Sequence, residues 1–236
     1  EILAVPLPGP GQQDGGRGSG MTTSWWSWDH AFAVFPILLD GFKITLLATV
    51  LGTLIALVLG LIVAIVRRSA PAVVSAPVTG VVEFIRMTPL VVQLVFANLV
   101  LSQYVGSTLA IGICVLGVHY TTYMAEVYRA GIDSVPTGQW EAATALSLPR
   151  ARTWRAVIAP QAIRNTLPAL GNYAISMFKE TPFFFVIYIP EMVRNAQTYG
   201  GDTFRYTEAI TLAGLIFLVA SYPTSLLIRR LEKKLA

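Results

Sequence analysis

Apolar positions in this chain gather into long, nearly unbroken runs separated by short polar intervals, rather than alternating as along half-buried strands. The clearest run, Ile44 to Val66, reads ITLLATVLGTLIALVLGLIVAIV and carries no charge. As a helix it reaches about 34 Å, enough to cross the hydrocarbon core of a bilayer. Within it Ala48, Gly52, Ala56, Gly60 and Ala64 recur at every fourth position. That spacing lays small side chains in one stripe and lets a neighbouring helix approach closely.

Four further spans are expected. The second runs from Leu90 to Tyr104, behind a segment broken by Pro71 and Pro77 that leads through Glu83 and Arg86 to Thr88-Pro89. It is short, which leaves open a start further upstream with Thr88-Pro89 as a kink inside the membrane. A turn at Gly106-Ser107 leads into the third, Thr108 to Val127. The fourth, Thr166 to Tyr188, is interrupted by Lys179, Glu180 and Pro182, and a polar loop holding Glu191, Arg194, Asp202 and Arg205 precedes the fifth, Tyr206 to Ile228. Between the third and fourth lies the longest polar interval of the interior, Asp133 to Ala159. Inside it Glu141 to Leu146 is rich in helix formers, with Gly138 before it and Pro149 after it, so a short helix is expected there.

The reading is therefore an all-α integral membrane protein of five transmembrane helices, whose termini lie on opposite sides. Arg67, Arg68, Arg86, Arg129, the arginines from Arg150 to Arg164 and the cluster Arg229 to Lys234 fall on one side, against Arg17, Lys43, Arg194 and Arg205 on the other. The basic side is the cytoplasmic one, which puts the N-terminus out, the C-terminus in and the 133–159 interval in the cytoplasm. Residues 1–22 are Gly- and Pro-rich without apolar period and are expected to be disordered; the transmembrane domain is 23–236. The chain does not open on Met and Met21 begins a stretch of different character, so the first twenty residues read as an addition or a mis-set start. Trp25, Trp26 and Trp28 then cluster where aromatic rings settle at a membrane interface.

Composition narrows the function classes. Hydrophobic residues make up 54% and charged residues 13% of the chain, and the mean hydropathy is +0.62, which exclude an ordinary soluble domain. The net charge of +4 belongs to loops facing the cytoplasm, not to a nucleic-acid surface. The lone Cys114 excludes an intrachain disulfide and a cysteine-based metal cluster. No HExxH, GxSxG or Walker-type phosphate loop is present, so the chain by itself has no nucleotide or hydrolytic site, and no cofactor is expected in it. Two rival classes remain: a membrane-embedded enzyme, whose best catalytic pair is His119 and Glu126 on one helix face, and a passive channel.

The polar interval carries a resemblance. Gly138-Gln139-Trp140-Glu141-Ala142-Ala143, followed through Ala159-Pro160, resembles the Glu-Ala-Ala loop of permease subunits of ATP-binding-cassette importers. Glu141, Ala142, Ala143 and Pro160 match, whereas Ser147 stands at the family's Gly, Val157 at its Ile and Ala159 at its Leu. Three more segments look like the polar amino-acid uptake branch (histidine, glutamate, glutamine, arginine): Phe84 to Leu94 is similar to FRGTPLLVQL with Met87 at the Gly, Ala125 to Ile132 to AExxRGGI, and Lys179 to Pro182 to KDTSL with Pro182 at the Ser. Met21 through Arg68 most resembles permeases for ectoine and hydroxyectoine, zwitterionic compatible solutes.

The resemblance implies a bacterial inner-membrane, multi-pass permease subunit and not an enzyme. Its expected partners are an identical or related second permease, two ATPase subunits that bind the ATP, an extracytoplasmic solute-binding protein and membrane lipid, with no nucleic acid. It implies that the cytoplasmic helix is the coupling element, through Gly138, Glu141, Ala142, Ala143 and Ser147. Polar groups inside spans are costly and tend to face a cavity or partner. The expected substrate pathway is accordingly Gln93, Asn98, Tyr123, Glu126, Asn172, Ser176, Lys179 and Glu180, with Tyr120 alongside. Neighbouring residues point about 100° apart on a helix, so Lys179 and Glu180 share a direction only if Pro182 distorts the turn.

Overall fold

A computed structural model describes residues 25–235. The segment expected to be disordered, residues 1–22, and with it Arg17, lies outside the described residues. Every regular element among those described is a helix.

The first helix, α1 (Trp28–Ser69), is much longer than the apolar run that announced it. Asp29, His30, Asp40 and Lys43 interrupt the apolar pattern upstream of Ile44 without offering a helix stop, and Lys43 reaches back one turn to Asp40 at 2.7 Å. Its stripe Ala48, Gly52, Ala56, Gly60 and Ala64 is buried and continues upward through Thr45, Gly41 and Leu38. A Cβ on Gly60 would sit 3.0 Å from Met124 Cβ and 3.2 Å from the Ala125 nitrogen of α4 (Thr108–Asp133), so the small stripe is what lets the two helices pack along their length.

Between them in sequence stand α2 (Ala72–Met87) and α3 (Leu90–Leu101), which meet at a 107° bend at Thr88-Pro89. The break lies at the Thr88-Pro89 step, where the sequence allows a kink. Pro89 supplies no N–H and Thr88 is extended, so the α2 ladder ends there and α3 starts afresh.

After α4 comes the short α5 (Thr137–Ala145), then α6 (Arg150–Arg152), a π-helical turn Thr153–Ile158, and α7 (Ala159–Glu180). A 3-10 segment, Thr181–Ile187, replaces the last turns expected of the fourth span. The interval from Glu191 to Arg205, expected as a loop, contains a helix, α8 (Met192–Thr203), before the final α9 (Tyr206–Leu235). Glu191 caps α8 by accepting from the backbone N–H groups of Val193 at 2.8 Å and Arg194 at 2.6 Å. Burial pushes its carboxyl up to about 7 against the pull of those two donors.

By length and composition α1, α4 and α9 each suffice to cross a membrane, and the bent pair α2–α3 counts as a fourth crossing if taken as one span. α7 does not qualify alone, because Asn172, Ser176, Lys179 and Glu180 dilute its apolar character. The main core joins α1, α4 and α7 through Ala48, Ala56, Leu116, Met124, Leu170 and Met177, with Leu94 of α3 and Phe184 beside them. A second cluster at the tryptophan end packs Val34 and Leu38 against Met192, Ala196, Ala209 and Ala213. A third, around Val135, Ile158 and Ala162, supports the opposite end, where α5 lies.

Candidate functional site

Midway along α4 a polar aromatic group interrupts the apolar interior. His119 and Tyr120 are buried, Tyr123 lies one turn further on, and Tyr173 of α7 faces them, with ring centroids 5.3 to 6.2 Å apart. The half-buried Glu180 carboxylate at the end of α7 lies close to the Tyr120 hydroxyl. Arg86 of α2 lies 5.5 Å from the Tyr123 ring centroid, a cation over an aromatic face.

Gln93 joins the bend in α2–α3 to this group. Its Nε2 donates to Ile85 O at 2.8 Å, Thr88 O at 3.1 Å and Thr88 Oγ1 at 2.7 Å. Those acceptors fix the amide orientation, which leaves Oε1 to accept from His119 Nδ1 at 3.0 Å. Gln93 thus satisfies carbonyls released by the break and ties them to α4. Asn98, further along α3, has a buried Oδ1 with no hydrogen-bond partner.

The remaining expected pathway residues separate into two settings. Asn172, Ser176 and Lys179 are exposed along one face of α7, while Glu180 turns inward to Tyr120, so Lys179 and Glu180 diverge as undistorted helical neighbours must. Glu126 belongs to a charge cluster at the α5 end. It accepts from Arg67 of α1 and pairs with Arg129 at 2.9 Å, while Asp133 pairs with Arg68 at 2.6 Å and Arg129 at 3.1 Å. Arg67 also donates to Thr79 of α2 at 3.2 Å. His119 and Glu126, the best pair for a membrane-embedded enzyme, are each engaged elsewhere and do not face a common substrate.

α5 presents a mixed surface. Gly138, Glu141, Ala142, Thr144 and Ala145 are exposed, and Leu146 is 72% exposed. Ala143 is buried and faces the protein's own interior rather than outward. The helix ends in a closed cap: Ser147 N donates to Thr144 O at 2.9 Å and Leu148 N to Ala143 O at 3.0 Å, with Ser147 at φ 48°. That left-handed position is the one at which the resembled loop has Gly, and a glycine reaches it without strain.

Sequence reasoning passed over Tyr173 and the two fully buried carboxylates Glu191 and Glu208. Glu208 of α9 accepts from the Ser27 N–H at 2.7 Å and so fastens the start of α1. A buried Glu in a polar stretch has no sequence mark that separates it from a solvated one.

The chain is thus a helical domain with helices long and apolar enough to cross a membrane, an internal polar aromatic group and an exposed surface helix at one end. Residues 56–236 match the family of binding-protein-dependent transport system inner membrane components, and the chain belongs to that family. It is 41% identical over 207 residues to a probable amino-acid ABC transporter permease of Sinorhizobium fredii, covering 87% of this chain and 90% of that one. It is 31% identical to the glutamine transport system permease of Escherichia coli, over 88% and 97% of the two chains. A crystal structure of an amino acid ABC transporter with histidines superposes with a TM-score of 0.82 at 33% identity, covering 89% of this chain and 99% of that one. The chain is thus a multi-pass inner-membrane permease subunit of an ABC-type importer, a transporter component and not an enzyme. Nucleotide is used by partner ATPase subunits and substrate is delivered by a binding protein.

Proposed function

We propose that this permease translocates a polar, zwitterionic amino acid, that Glu180 and the aromatic group at Tyr120 line its path, and that α5 seats the ATPase. The observation that carries the proposal is a carboxylate, a histidine and three tyrosines gathered inside an otherwise apolar bundle. Such groups are expensive at membrane depth and are retained where they serve a path or partner. The relatives' names, which refer to amino acids, favour that substrate class. A compatible solute such as ectoine is the narrower reading, supported by the likeness of Met21 through Arg68.

The proposed topology has five crossings, with α7 as the additional one, the N-terminus outside and the C-terminus inside. α7 is long enough, at about 33 Å, and its exposed Asn172, Ser176 and Lys179 need cover from lipid. A second permease subunit, identical or related, would supply it across a shared path, with one ATPase beneath each copy. Coupling is assigned to the outward residues Gly138, Glu141 and Ala142, with Ser147 closing the helix. ATP-driven closure of the ATPases would then rock the two bundles between outward-open and inward-open states.

The test is reconstitution with the ATPase and binding protein in proteoliposomes, following ATP-dependent uptake of labelled glutamine, arginine and histidine with unlabelled ectoine as competitor. Glu180→Gln is expected to cut uptake about tenfold or more at normal membrane abundance; abundance falling in step with uptake would make the group structural. Ala142→Trp is expected to leave insertion intact while uncoupling or releasing the ATPase. Uptake of unchanged rate in Ala142→Trp would remove α5 from the coupling path, and uptake that persists without ATP would favour a passive channel.

A further inference from the structure

At the α5 end, on the flank of the bundle and away from the aromatic group, a cleft of about 680 Å³ opens between α1 and α7. That volume lies within the ~300–1,000 Å³ range of small-molecule sites. Leu57, Leu61 and Ile65 of α1 form one wall and Ile163, Leu167 and Leu170 of α7 the other, so most of its depth is apolar. The polar lining is confined to a few groups, among them Arg68 and Ser69 at the last turn of α1, with Trp154 beside them. Ile65 and Ile163 are 50% and 53% exposed, so the chain itself leaves the cleft open.

We propose that this cleft is a binding site for an anionic phospholipid, with an acyl chain between α1 and α7 and the phosphate on Arg68. Charge decides the occupant. Among the described residues Arg67, Arg68 and Arg129 form ion pairs with Glu126 and Asp133 alone, so the cluster keeps an uncompensated positive charge. Arg68 spends one guanidinium nitrogen on Asp133 and its side chain remains 36% exposed, which leaves donors of its planar fork for phosphate oxygens. Arg155 and Arg164 are exposed near the start of α7 and add to the same field. An apolar slot under a basic rim is the combination that selects a negatively charged headgroup, and a tryptophan at that level suits the boundary between acyl chain and headgroup. A helix of a second permease would be served by the slot but not by the surplus charge.

The proposal rests on the membrane orientation above only for which leaflet supplies the lipid. Its test therefore uses nanodiscs of uniform composition, which offer the same lipid to both ends. The complete transporter is exchanged into equal mixtures of phosphatidylglycerol and phosphatidylcholine, and retained lipid is counted by native mass spectrometry. Phosphatidylglycerol is expected to be retained about fivefold over phosphatidylcholine, the preference that one arginine near a headgroup confers. Arg68→Gln is expected to abolish that preference while retaining lipid. Ile163→Trp, which fills the open slot from an exposed position, is expected to lose bound lipid of both kinds. Equal retention of the two lipids by the unmodified transporter, or an unchanged preference in Arg68→Gln, would overturn the proposal. So would a cysteine at Ile163 that cross-links quantitatively to a second permease. Uptake measured on the same samples reports separately on the transport reading.

Discussion

Ser147 is one of three residues at which the Glu-Ala-Ala loop departs from the family pattern, and its backbone shows what the departure costs. A left-handed residue with a side chain is strained by roughly 1–2 kcal/mol, whereas glycine is not but has more freedom to lose on folding. Ser147→Gly is therefore expected to stabilise by about 0.5–1 kcal/mol net, and Ser147→Val to destabilise, since a β-branched side chain tolerates φ 48° least. Thermal unfolding of the purified transporter checks the order Gly above Ser above Val; a Val variant as stable as the parent would mean the cap does not limit stability. At this scale the sequence was partly legible. Small residues at fixed spacing announced a packing stripe, because helical period is local. The role of Gln93 was not, because its partners Ile85, Thr88 and His119 meet only when the chain bends at Pro89. Nor does a Glu-Ala-Ala string say which alanine faces in: Ala143 is buried and Ala142 exposed.

Elements were legible where length and apolar content agreed. α4 and α9 follow their runs, and α5 overlaps the expected short helix but starts earlier, with Gly138 inside it and Leu146 beyond its end. α8 was read as a loop because its polar residues hide a helix that packs on one apolar edge, Met192 and Ala196, against α1. The contacts of α1 with its two neighbours differ in kind, and that difference can be measured. A Cβ on Gly41 would lie 2.7 Å from both the Met192 Cα and its nitrogen, backbone that can move only with α8, while a Cβ on Gly52 would meet the flexible Met177 Sδ at 2.9 Å. Gly41→Ala is expected to destabilise by about 2–3 kcal/mol, near the upper range for overpacking, and Gly52→Ala by under about 1 kcal/mol. Comparing the melting temperatures of the two variants tests this; equal losses would show that α8 yields as easily as a methionine side chain.

For the whole molecule, the expected orientation rests on arginine and lysine placement, which needs no tertiary contact, whereas the span count is harder to read because Asn172, Ser176 and Lys179 on the exposed face of α7 dilute its apolar run. The five-crossing arrangement with the α5 end inside makes a direct expectation. In a Cys114→Ala background, a cysteine at Gln197 in α8 should be labelled by an impermeant thiol reagent from outside, and one at Arg152 only from inside. Labelling of both from one side would discard that arrangement.

The continuity of α1 sets a rule for this protein that its contacts alone do not express. At 42 residues the helix is about 63 Å long, roughly twice the hydrocarbon thickness. It meets α8 near its start, where Asn195 donates to Ile37 O at 3.1 Å and His30 lies 2.8 Å from the Tyr199 hydroxyl, and α4 further down. A single uninterrupted helix held at two heights acts as a shaft, with one azimuth serving both bearings. Each added residue turns the upper part by about 100° relative to the lower. A single insertion between Gly41 and Thr45 would carry Val34 and Leu38 out of phase with α8 even though every side chain were kept, whereas an addition near a whole number of turns would nearly restore the phase. Length in α1 is therefore quantised by rotation, and the two ends of the permease are geared together through a helix that runs without interruption between them.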